Sequence, residues 1–240
     1  SYGPYQRRVP AGMRRALGEV AERLPDVRGK RFLTRAARPI EERFFRHEYN
    51  FTADERMSFL APRLRGMPVK APAEWTRPVF AKVAGADDLT KMQYADLYTW
   101  MLHDILLKAD KMSMASSLEL RVPFLDREVL KVAEAIPSRL RVQKGSTKAA
   151  LRLAAERELP EATAHKTKLG FPVPLDDWLR QEPYAGQVRA AFESDTAAMF
   201  FDRERIIALL DEHVAGGHQM KRIWTIYCFL RWYDEFFVAR

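Results

Sequence analysis

The chain has 240 residues, enough for one large domain or two small ones around a sizeable core. Hydrophobic residues make up 47% and charged residues 30%, a globular balance that excludes a disordered chain. The net charge of +8 suits an anionic ligand such as a nucleotide or pyrophosphate, while the mixing of basic with acidic residues argues against a nucleic-acid-binding tail.

Helix signals dominate in chain order. Pro10 opens a helix with Met13, Leu17, Val20 and Leu24 on one face, and Pro25 closes it. A short basic helix is expected up to Arg38-Pro39, followed by an aromatic face at Ile40, Phe44 and Phe45. Thr52 and Glu55 predict a capping box. Residues 61–73 read as a connection, because Pro62, Gly66, Pro68 and Pro72 break any regular element. A helix is expected around Pro78 to Val83, then a Gly85-Ala86-Asp87-Asp88 cap. From Leu89 the spacing of Leu89, Met92, Leu97, Trp100 and Met101 predicts a buried helix continuing to Ser116, with a bend near His103. Pro123 forces Val122 toward extended geometry. Asp126 is expected to cap a helix through Ile136, ended by Pro137. Ser146 or Thr147 is expected to cap the next, to about Glu158. An irregular loop spans Lys166 to Pro174. Helices are expected at 175–180 and 184–192, then from Asp202 to the Gly216-Gly217 break. The last helix, from about Gln219, carries an aromatic stripe, Trp224 to Phe237, expected to be core rather than a stacking surface. The result is an all-helical chain, with none of the parallel strands an α/β enzyme needs.

The single cysteine, Cys228, excludes an intrachain disulfide and a Cys-cluster zinc site. Its apolar helical setting predicts a buried, inert thiol and a reducing, cytoplasmic environment. No secretory leader is evident and no run is long enough to span a membrane. The five histidines show no metal-ligand spacing.

The stretch Leu106 to Asp126 is the hardest to explain by packing. It sets Asp110, Lys111, Glu119, Arg121 and Asp126 among apolar residues, where charge is costly unless paired or used. Glu119 and Arg121 point to the same side of an extended segment. They form a structural ion pair or each faces a polar substrate. Gly145-Ser146-Thr147-Lys148 lacks the residue order of a Walker A loop. Lys148 still stands at a helix start, where free amides favour anions. It binds a phosphate there or is simply solvated. Lys166 and Lys168 flank a glycine loop suited to phosphate, with a solvated loop as the default.

These residues carry a resemblance. The run Leu107-Lys108-Ala109-Asp110-Lys111-Met112-Ser113-Met114-Ala115, followed by Leu118-Glu119-Leu120-Arg121-Val122-Pro123-Phe124-Leu125-Asp126, resembles the synthetase domain of glutamine-dependent (class B) asparagine synthetases. Lys148-Ala149-Ala150-Leu151-Arg152 leading to Leu159-Pro160, and Lys166 to Pro174 leading to Trp178-Leu179, agree in order and spacing. The match is strongest from Asp88 to Leu179.

The resemblance implies ATP-dependent activation of aspartate as β-aspartyl-AMP, release of pyrophosphate, and displacement of AMP by ammonia drawn from glutamine. ATP and Mg2+ are the implied cofactors, with metal ligands largely outside this chain. Lys148 falls on the family's lysine that stabilises the phosphates, with Lys168 a second phosphate contact. Glu119, Arg121 and Asp110 fall on positions near the acceptor site. Lys111 stands where arginine is usual, which keeps the charge and loses the planar fork. The catalytic N-terminal cysteine of the glutaminase domain and the SGG-x-DS pyrophosphatase loop are absent.

The expected fold is therefore mainly α, the helical C-terminal half of an α/β ATP-pyrophosphatase-type synthetase domain, with residues 1–240 as a single domain fragment. Its partners would be aspartate, ammonia, and the glutaminase and pyrophosphatase-loop segments of a parent chain, with a homodimer also allowed. No membrane and no nucleic acid is expected. β-Lactam synthetases and peptide-cyclising relatives share the scaffold, and a basic helical interaction or RNA-binding module is the reading from another class.

Overall fold

The computed structural model describes residues 11–23, 33–34, 37–44, 50–51, 53–143, 146–167 and 173–238. It is mainly helical, and among the described residues the only β pairing is two isolated bridges, Leu60 with Phe201 and Gln143 with Ser146. The chain divides into two compact units, one holding residues 1–44 and 70–168, the other 45–69 and 169–240.

In chain order the helices are α1 (Ala11–Glu22), α2 (Ile40–Arg43), α3 (Ala53–Phe59), α4 (Pro72–Ala81), α5 (Asp88–Asp96), α6 (Leu107–Met114), α7 (Arg127–Ala135) and α8 (Ser138–Arg141). There follow α9 (Ala149–Glu158), α10 (Glu161–Ala164), α11 (Leu175–Trp178), α12 (Tyr184–Glu193), α13 (Asp195–Phe200), α14 (Arg203–Val214) and α15 (Met220–Tyr233). A π-wound stretch, Leu97–Leu106, joins α5 to α6, and the bend expected near His103 falls inside it.

The first unit is pinned by Ile40, Leu89, Met92 and Val142, with Phe44 packed alongside. Asp87 caps α5 as expected: its carboxylate accepts the amides of Leu89 at 3.0 Å and Thr90 at 3.1 Å. It also accepts the hydroxyls of Thr90 at 2.9 Å and Ser138 at 2.6 Å, which ties the start of α5 to α8. Arg141 reinforces that junction, donating to Ile136 O at 2.6 Å, Gln93 Oε1 at 3.0 Å and Thr90 Oγ1 at 3.2 Å. Burial pushes the Asp87 carboxyl up, but the hydrogen bonds from Ser138, Thr90 and Leu89 outweigh it and hold the group below its ordinary value of 3.8. A depressed folded-state pKa contributes stability above the ordinary value, lost as pH falls through the lower folded one. Acidification below about 3.8 is therefore expected to destabilise this unit, and Asp87→Asn to flatten that part of the pH-stability curve, as read by urea unfolding at stepped pH.

Several expectations change. Pro72 starts α4 instead of breaking the chain, because a first-turn proline loses no helical hydrogen bond; Glu74 reaches back to the Ala71 amide at 2.9 Å. Leu97 is 37% exposed rather than buried, since the winding changes there and shifts the apolar face out of phase with Leu89 and Met92. On α1, Met13, Leu17 and Val20 share a face as expected but are exposed. The expected basic helix before Arg38 falls largely outside the described residues, as do Phe45 and Thr52.

The second unit packs Val188 and Phe192 of α12, Ile206, Leu209 and Leu210 of α14, and Ile223, Ile226 and Leu230 of α15 into one core with Leu179 and Ala197. Asp202 caps α14 through the Arg205 amide at 3.3 Å, and Gly216, at φ +109, turns the chain after it. On α15 the aliphatic residues face inward with Tyr227 and Phe229 packed against the core, whereas Trp224 and Trp232, and Phe236 and Phe237 in the π-wound stretch Asp234–Val238 that follows, are exposed, so the expected core stripe is buried only in part. Cys228 is exposed too, not buried, though desolvation by its surroundings still raises its thiol pKa and keeps it a weak nucleophile. Among the described residues no helix is long and apolar enough to cross a membrane.

Candidate active site

Lys148 sits between two buried anchors, Val142 and Ala149, each 4% exposed. Just before it, Gln143 and Ser146 exchange backbone hydrogen bonds at 2.9 and 3.0 Å. Lys148 is itself the N-cap of α9, with φ −138 and ψ 45, so neither Ser146 nor Thr147 holds the cap position predicted for it. The Ser146 hydroxyl is turned inward, with no partner among the described residues. Among the described residues no side chain caps the first amides of α9. The result is an exposed lysine beside uncapped helix-start amides, a combination with affinity for an anion.

One turn on, Arg152 donates to Ala164 O and Lys166 O, both at 3.0 Å. It ties α9 to the end of α10 and to the first residue of the basic loop. Arg152 belongs to a quoted motif, yet nothing in its spacing announced this job, because its acceptors are main-chain carbonyls. Arg152→Met is expected to destabilise the first unit by about 1–3 kcal/mol in urea unfolding, since it strips a charged donor from two carbonyls. Lys168 lies outside the described residues.

The stretch that ends at Asp126 has a defined local geometry. Helix α6 ends in a Schellman turn: the Leu118 amide bonds Ser113 O and the Ser117 amide bonds Met114 O, both at 3.0 Å. Ser117 takes the left-handed position, φ 54, where glycine is usual, a mild strain for a residue with a Cβ. Asp126 then caps α7 through the Glu128 amide at 2.7 Å. Glu119 and Arg121 meet at 2.8 Å, but their side chains are 71% and 81% exposed. The premise that this stretch holds half-buried charge is thus corrected: the charges and their apolar neighbours alike are open to solvent. Asp110 and Lys111 are also exposed, and among the described residues no ion pair joins Asp110 or Lys148 to the Glu119–Arg121 pair.

In the second unit His213 is fully buried and structural. Its Nε2 lies 3.0 Å from Asp176 O, and its Nδ1 3.3 Å from the Gln219 amide. Nδ1 also lies 3.0 Å from Gly217 O, which accepts from the Arg180 guanidinium at 2.8 Å as well. Arg180 also holds Asp176 at 2.9 Å, and that hydrogen bond keeps the Asp176 carboxyl below its usual value. Among the described residues no group of three or more His, Cys, Asp or Glu side chains is arranged to hold a metal ion.

The described residues form a mainly helical chain of two compact units. The asparagine synthase family profile matches residues 3–234, and the chain belongs to that family. A Mycobacterium tuberculosis protein provisionally named a glutamine-hydrolysing asparagine synthetase is 40% identical over 230 residues, 95% of this chain and 35% of its own length. Glutamine-hydrolysing asparagine synthetase 1 of Bacillus subtilis is 38% identical over 239 residues, 98% of this chain and 37% of its own length. The chain thus spans little more than a third of these curated relatives. No solved structure is a significant match.

Proposed function

We propose that this chain is the helical C-terminal part of an ATP-pyrophosphatase-type synthetase domain, and that within a longer protein it serves the ATP-dependent amidation of aspartate to asparagine. The observation that carries the reading is Lys148, exposed beside the uncapped start of α9 in a chain of this family. In that reaction the aspartate side-chain carboxylate attacks the α-phosphorus of ATP, and the bond to pyrophosphate breaks. Ammonia from glutamine then attacks the β-aspartyl-AMP carbonyl, and AMP leaves. Negative charge builds on the departing pyrophosphate, where a fixed cation and helix-start amides stabilise the transition state more than the ground state.

Lys168, in the same basic loop that Arg152 secures at Lys166, is the second phosphate contact. Glu119, Arg121 and Asp110 lie on the acceptor side. Magnesium accompanies the nucleotide in this reading, with its ligands largely outside this chain, and the isolated chain is inactive.

The test is release of AMP and pyrophosphate from ATP with aspartate and ammonia. The expected result is none from this chain alone, and aspartate-dependent release from a longer protein carrying it. Robust AMP formation by the 240-residue chain would overturn the division of labour. A longer protein that forms AMP only with another carboxylate would overturn the substrate.

A further inference from the structure

Helix α15 has two faces in different surroundings. Ile223, Ile226 and Leu230 fill the core of the second unit. The opposite face carries Lys221, Trp224, Cys228 and Trp232, all exposed, and continues into the π-wound stretch with Glu235 and Phe236, exposed as well. Among the described residues the ring neighbours of Trp224 and Trp232 all come from this same helical stretch, so no aromatic side chain of another element covers either indole. Two tryptophans on one open helix face are the residues that anchor an interface.

The order of residues on this face is symmetric about Cys228. Trp224 and Trp232 lie four residues before and after it, and Lys221 and Glu235 lie seven residues before and after it. Those offsets are one and two helical turns, so all five side chains share the face. An antiparallel copy of the helix, turned about a two-fold axis through Cys228, sets Trp224 against the partner's Trp232 and Lys221 against the partner's Glu235, each contact occurring twice. Among the described residues neither Lys221 nor Glu235 has an ion pair of its own. A parallel copy in register would oppose like charges instead, lysine to lysine and glutamate to glutamate. A lipid surface would need no such matching of acid to base.

We propose that two copies of this chain pair through the outer face of α15 in antiparallel register, with Cys228 on the two-fold axis. The pairing uses no residue of α9 or of 107–126, so it stands apart from the proposed reaction. Trp224, Trp232 and Phe236 expose roughly 300 Å² per chain, and with the flanking polar side chains the pair buries on the order of 1,000 Å², the lower limit of a specific interface.

Sedimentation equilibrium of the 240-residue chain under reducing conditions is expected to show a monomer–dimer equilibrium with a Kd of about 1–10 μM. Lys221→Glu or Glu235→Lys, each placing like charges together on both sides of the axis, is expected to weaken it about tenfold. The double variant Lys221→Glu/Glu235→Lys is expected to restore it to within about threefold, and both positions are exposed, so folding is not at stake. A short bismaleimide spanning the ~8–10 Å between packed helix axes is expected to join the two chains of the dimer, and with a single cysteine in the chain the link is Cys228 to Cys228. A chain that stays monomeric at about 100 μM overturns the proposal. So does a dimer that the single reversals leave intact, that the double reversal fails to restore, or that gives no Cys228 crosslink. A monomer that binds phosphatidylcholine vesicles through this face overturns it too, and assigns the face to a lipid surface.

Discussion

Lys148→Ala, in a longer protein carrying this chain, is expected to lower asparagine synthesis by about 10²–10³-fold, the usual loss for one preorganised stabiliser of developing charge. The loss should fall mainly on kcat. The phosphates of bound ATP are already charged in the ground state, so part of the lysine's attraction is uniform and appears in KM. The extra charge freed as pyrophosphate departs is met only in the transition state, and that part appears in kcat. Lys148→Arg should recover some of the rate, because charge is retained while the compact ammonium is replaced by a wider fork. Glutamine hydrolysis should be unaffected by either change. Steady-state kinetics of AMP release, run beside glutamate release, separate the two activities. Normal asparagine synthesis by Lys148→Ala would remove the lysine from the mechanism.

Phe192→Ala should cost about 3–5 kcal/mol of stability in urea unfolding of the chain, the range for emptying a large aromatic site in a packed core. Phe192 is 0% exposed and shares its core cluster with Val188, Ile206, Leu210 and Ile223. Phe124→Ala removes the same atoms from a side chain that is 71% exposed, and in the isolated chain it should change stability by under about 0.5 kcal/mol. If the two substitutions cost the same, the division between the filled core and the exposed 107–132 stretch is wrong.

Element ends were readable from local chemistry. Asp87, Asp126 and Asp202 were expected to start helices and each accepts the amide that a cap accepts. Gly216 was expected to end one, and its positive φ is a conformation glycine adopts at little cost. These interactions close within a few residues, so the sequence contains both partners. The start of α9 lies one or two positions beyond the expected cap: Ser146 and Thr147 are better cap residues than Lys148, but Ser146 is held by its backbone bonds to Gln143.

Of the candidate site, the sequence by itself determined the residue types and their order: a lysine before a helix, a basic loop, and an acid and a base two residues apart. It also determined which apolar residues share a helix face. Only the tertiary structure decided which of those faces are covered. Met13, Leu17 and Val20, Val129 and Val132, and Ile223, Ile226 and Leu230 all have helical spacing, yet only the last set is buried. Periodicity records that a face is apolar; whether another element lies against it depends on residues far away in the chain, or outside it. Arg152 shows the same limit, since its carbonyl acceptors at Ala164 and Lys166 carry no side-chain signature. The exposure of Glu119 and Arg121 shows it too: apolar neighbours in the sequence did not bring burial with them, so their surroundings could not be read from those neighbours.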